Sequence, residues 1–153
     1  MNGEIMCTSV LVAVDGSAQS DYALTQFLKM INTEKTKLTV LYVIAPSRYI
    51  TFEEVPGYTG TQALREMRER LVKQEEETIR QRVKKISEEE DVQIEMMVRI
   101  GDPRNEILSV AKEINASLIV MGSTGKGLGE RILLGSVSTY ISTHSEISTM
   151  IIR

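Results

Sequence analysis

Residues Met121 to Ser138 read Met-Gly-Ser-Thr-Gly-Lys-Gly-Leu-Gly-Glu-Arg-Ile-Leu-Leu-Gly-Ser-Val-Ser, directly after the apolar run Leu118, Ile119, Val120. The apolar run predicts a buried strand. Glycines after a strand let the main chain approach a ligand closely, and the next helix start adds unpartnered amides and the positive end of a dipole. A corner of this kind attracts anions. The hydroxyls of Ser123, Thr124, Ser136 and Ser138 add donors for a phosphate or a ribose. The competing reading is an ordinary strand-to-helix turn rich in glycine and serine. Gly135 favours the first reading. It interrupts the apolar residues Ile132 to Leu134 and Val137, and a glycine inside a continuous helix would cost about 1 kcal/mol relative to Ala.

The spacing rules out two common phosphate motifs. A P-loop needs Gly-Lys followed by Ser or Thr, whereas Gly125-Lys126 is followed by Gly127. A dinucleotide fingerprint needs Gly-x-Gly-x-x-Gly after the first strand. Here Gly125, Gly127 and Gly129 alternate, and they follow the penultimate predicted strand.

Working outward, strands and helices take turns. Ser9 to Val14 is an apolar strand ending in Asp15-Gly16-Ser17, after which Tyr22, Ala23, Leu24, Phe27, Leu28 and Ile31 recur at helical spacing. Leu38 to Ile44 predicts a second buried strand. Leu64, Met67, Leu71, Ile79, Val83 and Ile86 mark a long helix whose other faces are Glu, Arg and Lys. A third strand is expected over Val92 to Ile100. Gly101-Asp102-Pro103 then signals a helix start, with Asp102 as N-cap, Pro103 at the first helical position, and Ile107, Leu108, Ala111 and Ile114 on one face. Ala116 to Met121 is the fourth strand, Val137 to His144 a further helix, and Thr149 to Arg153 a short closing strand.

This alternation implies a parallel sheet covered on both faces. The expected fold class is a doubly wound α/β domain over residues 1–153, a five-stranded sheet of order 3-2-1-4-5 sandwiched by helices. Ligands of such sheets bind beyond the carboxyl ends of the strands, where strand order reverses. The ends of strands one (Ala13, Val14, Asp15) and two (Val43, Ile44) and the Gly122 loop share that rim.

Ala45 to Thr61 has no period and is read as a loop. Its Tyr49, Phe52 and Tyr58 either cover a bound base or partner subunit or patch onto the nearest helix. The 153 residues carry a net charge of -3, which argues against nucleic acid as main partner, and no apolar run approaches the length that crosses a bilayer. Arg65, Arg68, Arg70 and Lys73 interleave with Glu66, Glu69 and Glu75, as on a solvated helix face. Cys7 is the only cysteine, which excludes an internal disulfide and fits a reducing cytoplasm. The first residues suggest no secretory leader. His144, the only histidine, is expected on the surface near a helix C-terminus rather than in a metal site.

The order of motifs resembles the universal stress protein family, in its ATP-binding branch, over nearly the whole chain. The resemblance is carried by Gly122, two residues, Gly125, nine residues, then Gly135-Ser136, together with Val12-Ala13-Val14-Asp15, Leu41-Tyr42-Val43-Ile44, Gly101-Asp102-Pro103 and Leu118 to Ser123. It implies an adenine nucleotide α-hydrolase-like fold and a cytoplasmic protein that binds ATP, ADP or AMP and forms a homodimer through its last strand. Asp15 would approach the ribose or a Mg2+ ion, and the main chain of Val43 would read the adenine edge. Met121 and Gly122 would line base and ribose, and Ala13 and Val14 would form the pocket wall. Gly125, Gly135, Ser136 and Ser138 would hold the phosphates, with Ser123 and Val137 completing the set. The family often has Arg or His where Thr124 stands, and many members carry Pro-Val-Leu-Val-Val near the end where this chain has Ile147 to Arg153.

Three function classes follow. A nucleotide-binding regulatory module is favoured, because no catalytic set accompanies the anion donors and only Lys126 and Arg131 offer cations for the outer phosphates. Hydrolysis is then expected to be slow or absent. An adenylating enzyme of the related adenine-binding group would need Ser-Gly-Gly-x-Asp-Ser after strand one, which is missing. A protein-interaction module with a vestigial pocket is disfavoured by the retained glycines.

Overall fold

The computed structural model describes residues 8–46, 62–123 and 134–153. The elements are β1 (Ser9–Val14), α1 (Ala18–Met30), β2 (Lys37–Ile44), α2 (Gln62–Glu89), β3 (Glu95–Ile100), α3 (Pro103–Glu113), β4 (Leu118–Gly122), α4 (Ser136–His144) and β5 (Thr149–Ile152). All strand pairs are parallel and the order is β3-β2-β1-β4-β5. The expected topology is the observed one.

Strand composition follows position in the sheet. The three inner strands β2, β1 and β4 are covered on both faces and so are apolar almost without alternation, whereas the edge strands β3 and β5 are only half-buried along most of their length. Side chains alternate between the two faces, which divides the core. Val10, Val12, Val14, Val40, Tyr42 and Ile44 pack against α1, through Leu24, Phe27 and Leu28, and against α2, through Ile79 and Val83. Leu11, Leu41, Val43, Ile119 and Met121 pack against α3, through Ile107, Val110 and Ala111, and against Ile141 of α4.

Two strands start later than the apolar residues suggest. Val92 donates its amide to the Ser87 carbonyl (3.0 Å) and Asp91 adopts a left-handed φ of 51°, so Val92 and Ile94 close α2 and pack on the core before β3 begins at Glu95. Likewise the Ala116 amide returns to the Ala111 carbonyl (2.9 Å) past left-handed Asn115, and β4 begins at Leu118. In both places helix termination consumed an amide that the strand pattern had assigned to the ladder. The charged residues of α2 from Arg65 to Lys73 are exposed, as a solvated face requires, but Glu75 is half-buried and accepts from the hydroxyl of buried Tyr42.

The Asp102-Pro103 step starts α3 as expected. The Asp102 carboxylate accepts from the Arg104 amide (2.9 Å) and from the Arg104 guanidinium (2.7 Å). These bonds, the guanidinium one foremost, lower the Asp102 pKa from 3.8 to about 2. A carboxyl held low in the folded state stabilises it above its unfolded pKa, and that contribution fades as pH falls through the folded value. Asp102→Ala is therefore expected to cost about 1 kcal/mol in urea unfolding at neutral pH. The difference from wild type should persist down to about pH 4 and shrink between there and about pH 2.

Candidate functional site

At the carboxyl rim, β1 lies between β2 and β4, and Ala13 is in register with both Leu41 and Met121. Ala13, Val43 and Met121 therefore share one face, the one covered by α3 and α4, and belong to the same apolar cluster. Val14 does not. Its side chain enters the opposite core with Tyr42 and Ile44, so the Ala13 and Val14 side chains do not lie on one wall, contrary to expectation. Alternation along a strand forbids both side chains on one wall.

Beyond β1 the chain turns sharply. The Ser17 amide donates to Asp15 Oδ1 (2.9 Å), the Asp15 amide donates to Ser20 Oγ (3.3 Å), and Gly16 holds a left-handed φ of 77° that other residues adopt only under strain. Ser17 then caps α1 by accepting from the Ser20 amide (3.1 Å). The Asp15 carboxylate is thereby placed at the strand end by its own turn. Arg82 of α2 donates to the Gly16 carbonyl (2.6 Å) and pairs with Asp21. No local spacing marks Arg82, because its partner lies 66 residues earlier.

The end of β4 and the start of α4 are joined directly. The Gly135 amide donates to the Ser123 carbonyl (2.7 Å), and the Ser123 amide donates to Ile152 (3.0 Å). The Ser138 hydroxyl, buried, lies 3.0 Å from both the Ser123 and the Gly135 carbonyls and donates into that knot. Gly122 sits under α1, where a Cβ would lie 3.4 Å from Gln19 Cγ. Gly135 is the N-cap of α4 and supplies no side-chain cap, and no acidic residue occupies the first turn. The amides of Ser136, Val137 and Ser138 thus open the helix, where first-turn amides have no partner within the helix itself.

This modifies the expected donor set. The Gly135 amide is spent on the Ser123 carbonyl, and the Ser138 hydroxyl on the carbonyls of Ser123 and Gly135. Ser136 is exposed, Val137 half-buried and Ser138 buried. Thr124, Gly125, Lys126 and Arg131 lie outside the described residues, as do Cys7, Tyr49, Phe52 and Tyr58.

A polar string braces α4 against α3. Arg104, bound to Asp102, stands 5.5 Å from the Tyr140 ring, and Tyr140 stacks on His144 at 4.0 Å. His144 is exposed at the last residue of α4, and its Nδ1 lies 3.0 Å from the Tyr140 carbonyl. Among the described residues no group of three or more His, Cys, Asp or Glu is gathered for a metal ion, and no helix is long and apolar enough to cross a membrane.

The model of the universal stress protein family matches residues 6–153. The chain belongs to that family. Universal stress protein YxiE of Bacillus subtilis is 34% identical over 150 residues, covering 97% of this chain and all of that protein. A universal stress protein of Methanocaldococcus jannaschii is 30% identical over 152 residues, covering 99% of this chain and 85% of that one. Solved universal stress proteins share the fold. One in complex with cAMP aligns with a TM-score of 0.64 at 19% identity, covering 97% of this chain and 98% of that one. One from Archaeoglobus fulgidus in complex with dAMP aligns at 0.62 and 19%, covering 97% and 100%. For this universal stress protein, Ser138→Ala is expected to lower stability by about 1 kcal/mol in denaturant unfolding, since it deletes the hydroxyl of the β4–α4 knot.

Proposed function

We propose that this universal stress protein binds an adenine nucleotide, ATP or its mono- or diphosphate, in the crevice between the ends of β1, β2 and β4 and the first turn of α4. The observation that carries the reading is the Gly135–Ser123 hydrogen bond, which sets an uncapped helix start beside the end of β4. An anion at that point meets several amides and the positive end of the helix dipole. Ala13, Val43 and Met121 supply the apolar wall for the nucleoside, and the Val43 main chain reads the adenine edge. Ser136 and Val137, with the Ser138 amide, take the phosphates, while Gly122 and Ser123 form the adjacent floor. Gly125 is assigned to the same phosphate group by the spacing alone. Asp15 is offered to the ribose hydroxyls or to a Mg2+ ion carried in on the phosphates, a cation that takes few protein ligands when phosphate oxygens are present.

The family and the complexes of fold relatives with cAMP and dAMP support an adenine ligand. The role proposed is regulatory, with slow hydrolysis, in the cytoplasm; a site made of main-chain donors supports the slow hydrolysis. Such donors bind the ground state without supplying a base for an attacking water. The chain would pair as a homodimer through β5, which among the described residues pairs with no strand but β4 and has half-buried side chains.

Ser136 is the first helical residue and Gly135 before it is extended (ψ 164°), so proline fits at 136 without disturbing the helix. Ser136→Pro is expected to retain the thermal stability of wild type. It should weaken ATP by about tenfold or more in calorimetry, because one charge-assisted amide bond is lost. Unchanged affinity would remove α4 from the phosphate site. Purified protein should hydrolyse ATP more slowly than about 1 per second, and light scattering at micromolar concentration should give a dimer mass.

A further inference from the structure

The Gly16–Ser17 peptide is held at both ends. Its carbonyl accepts from Arg82 Nη1 (2.6 Å) on one side, and its N–H donates to Asp15 Oδ1 (2.9 Å) on the other. A trans peptide is a rigid plane whose C=O and N–H point in opposite directions, so turning one end turns the other. Hydrogen bonds in series through an amide also polarise one another. Arg82 cannot rotate away easily, because its second terminal nitrogen is paired with Asp21 in the first turn of α1. Gly16, left-handed at φ 77°, has no side chain to fix this plane.

From this geometry we infer that Arg82 is a positioning residue of the nucleotide site, orienting the Asp15 carboxylate through the Gly16–Ser17 peptide. The inference rests on the adenine-nucleotide reading above. Arg82 belongs to α2, on the face of the sheet opposite α4; with Asp15 on the ribose, the first of the two roles proposed for it, Arg82 acts on the nucleoside end rather than on the phosphates. The charge of Arg82 is already matched by Asp21, so the residue works by direction. Because α2 is buried only at Ile79 and Val83, Arg82 is also a polar anchor of that helix at the rim.

The test combines calorimetry of adenosine, AMP and ATP with the exchange protection of the Ser17 amide in the ligand-free protein. Arg82→Gln is expected to weaken all three ligands by a common factor of about three to ten, within the coupling range of residues in one network. Ser136→Pro should instead weaken ATP and AMP and spare adenosine. Arg82→Lys, which keeps the charge but offers no fork, should fall between wild type and Arg82→Gln. In an Asp15→Ala background, which removes the acceptor of the Ser17 amide, the effect of Arg82→Gln should largely disappear, which a merely structural role of Arg82 would not produce. Ser17 protection should drop in Arg82→Gln while that of Val12 in β1 stays.

Wild type binding the three ligands with Arg82→Gln matching it, or an unchanged Ser17 amide, would overturn the role of Arg82. Wild type that binds none of the three would overturn the nucleotide reading instead. In that case Ser17 protection alone decides whether Arg82 holds the Asp15 turn.

Discussion

The central place of β1 governs this molecule. Its hydrogen-bonding edges are both occupied, by β2 on one side and β4 on the other, and its two faces are both roofed by helices. From β1 the chain steps outward to β2 and β3, then jumps back to β4 and steps outward again to β5. Right-handed crossovers that move in opposite directions along a sheet place their helices on opposite faces. That is why α1 and α2 cover one face and α3 and α4 the other. The helices that follow β1 and β4, α1 and α4, lie in different layers, the arrangement in which sheets of this class bind ligands at the carboxyl rim.

Among the described residues, the corner between β4 and α4 is tied through main chain more than side chain. Apolar strands end in Ala13, Val43 and Met121 on a single face, next to a helix start with no acidic residue in its first turn and no side-chain cap. The hydrogen bonds of Gly135, Ser123 and Ser138 to one another and to Ile152 stiffen this corner from beneath. A donor already bonded to protein cannot serve a ligand, yet it fixes the direction of the amides that follow it. Glycine and serine here divide the work between holding the corner and facing solvent.

The opposite lip is built differently. The Asp15 turn depends on Ser17 and Ser20 close by in sequence and on Arg82 far from it. Helix α2 spans 28 residues with only Ile79 and Val83 buried. Its contact with the turn gives it a stake in the geometry of the rim that its apolar contacts alone would not. On the α3 side the Asp102–Arg104–Tyr140–His144 string does comparable bracing for α4.

Local periodicity determined much of this in advance. Continuous apolar runs marked the inner strands, Asp102-Pro103 marked the start of α3, and the alternation of elements implied parallel strands in the order found. These features depend on neighbours a few residues apart, which a sequence displays directly. Strand starts at Glu95 and Leu118 were hidden, because left-handed Asp91 and Asn115 turn apolar residues back into helix termini. Tertiary structure alone decided that Val14 turns away from the crevice, that the Ser138 hydroxyl and Gly135 amide are consumed internally, and that Arg82 reaches Gly16. Residue types and spacing name the available donors, but which donors stay open depends on partners that only the folded chain brings within about 3 Å.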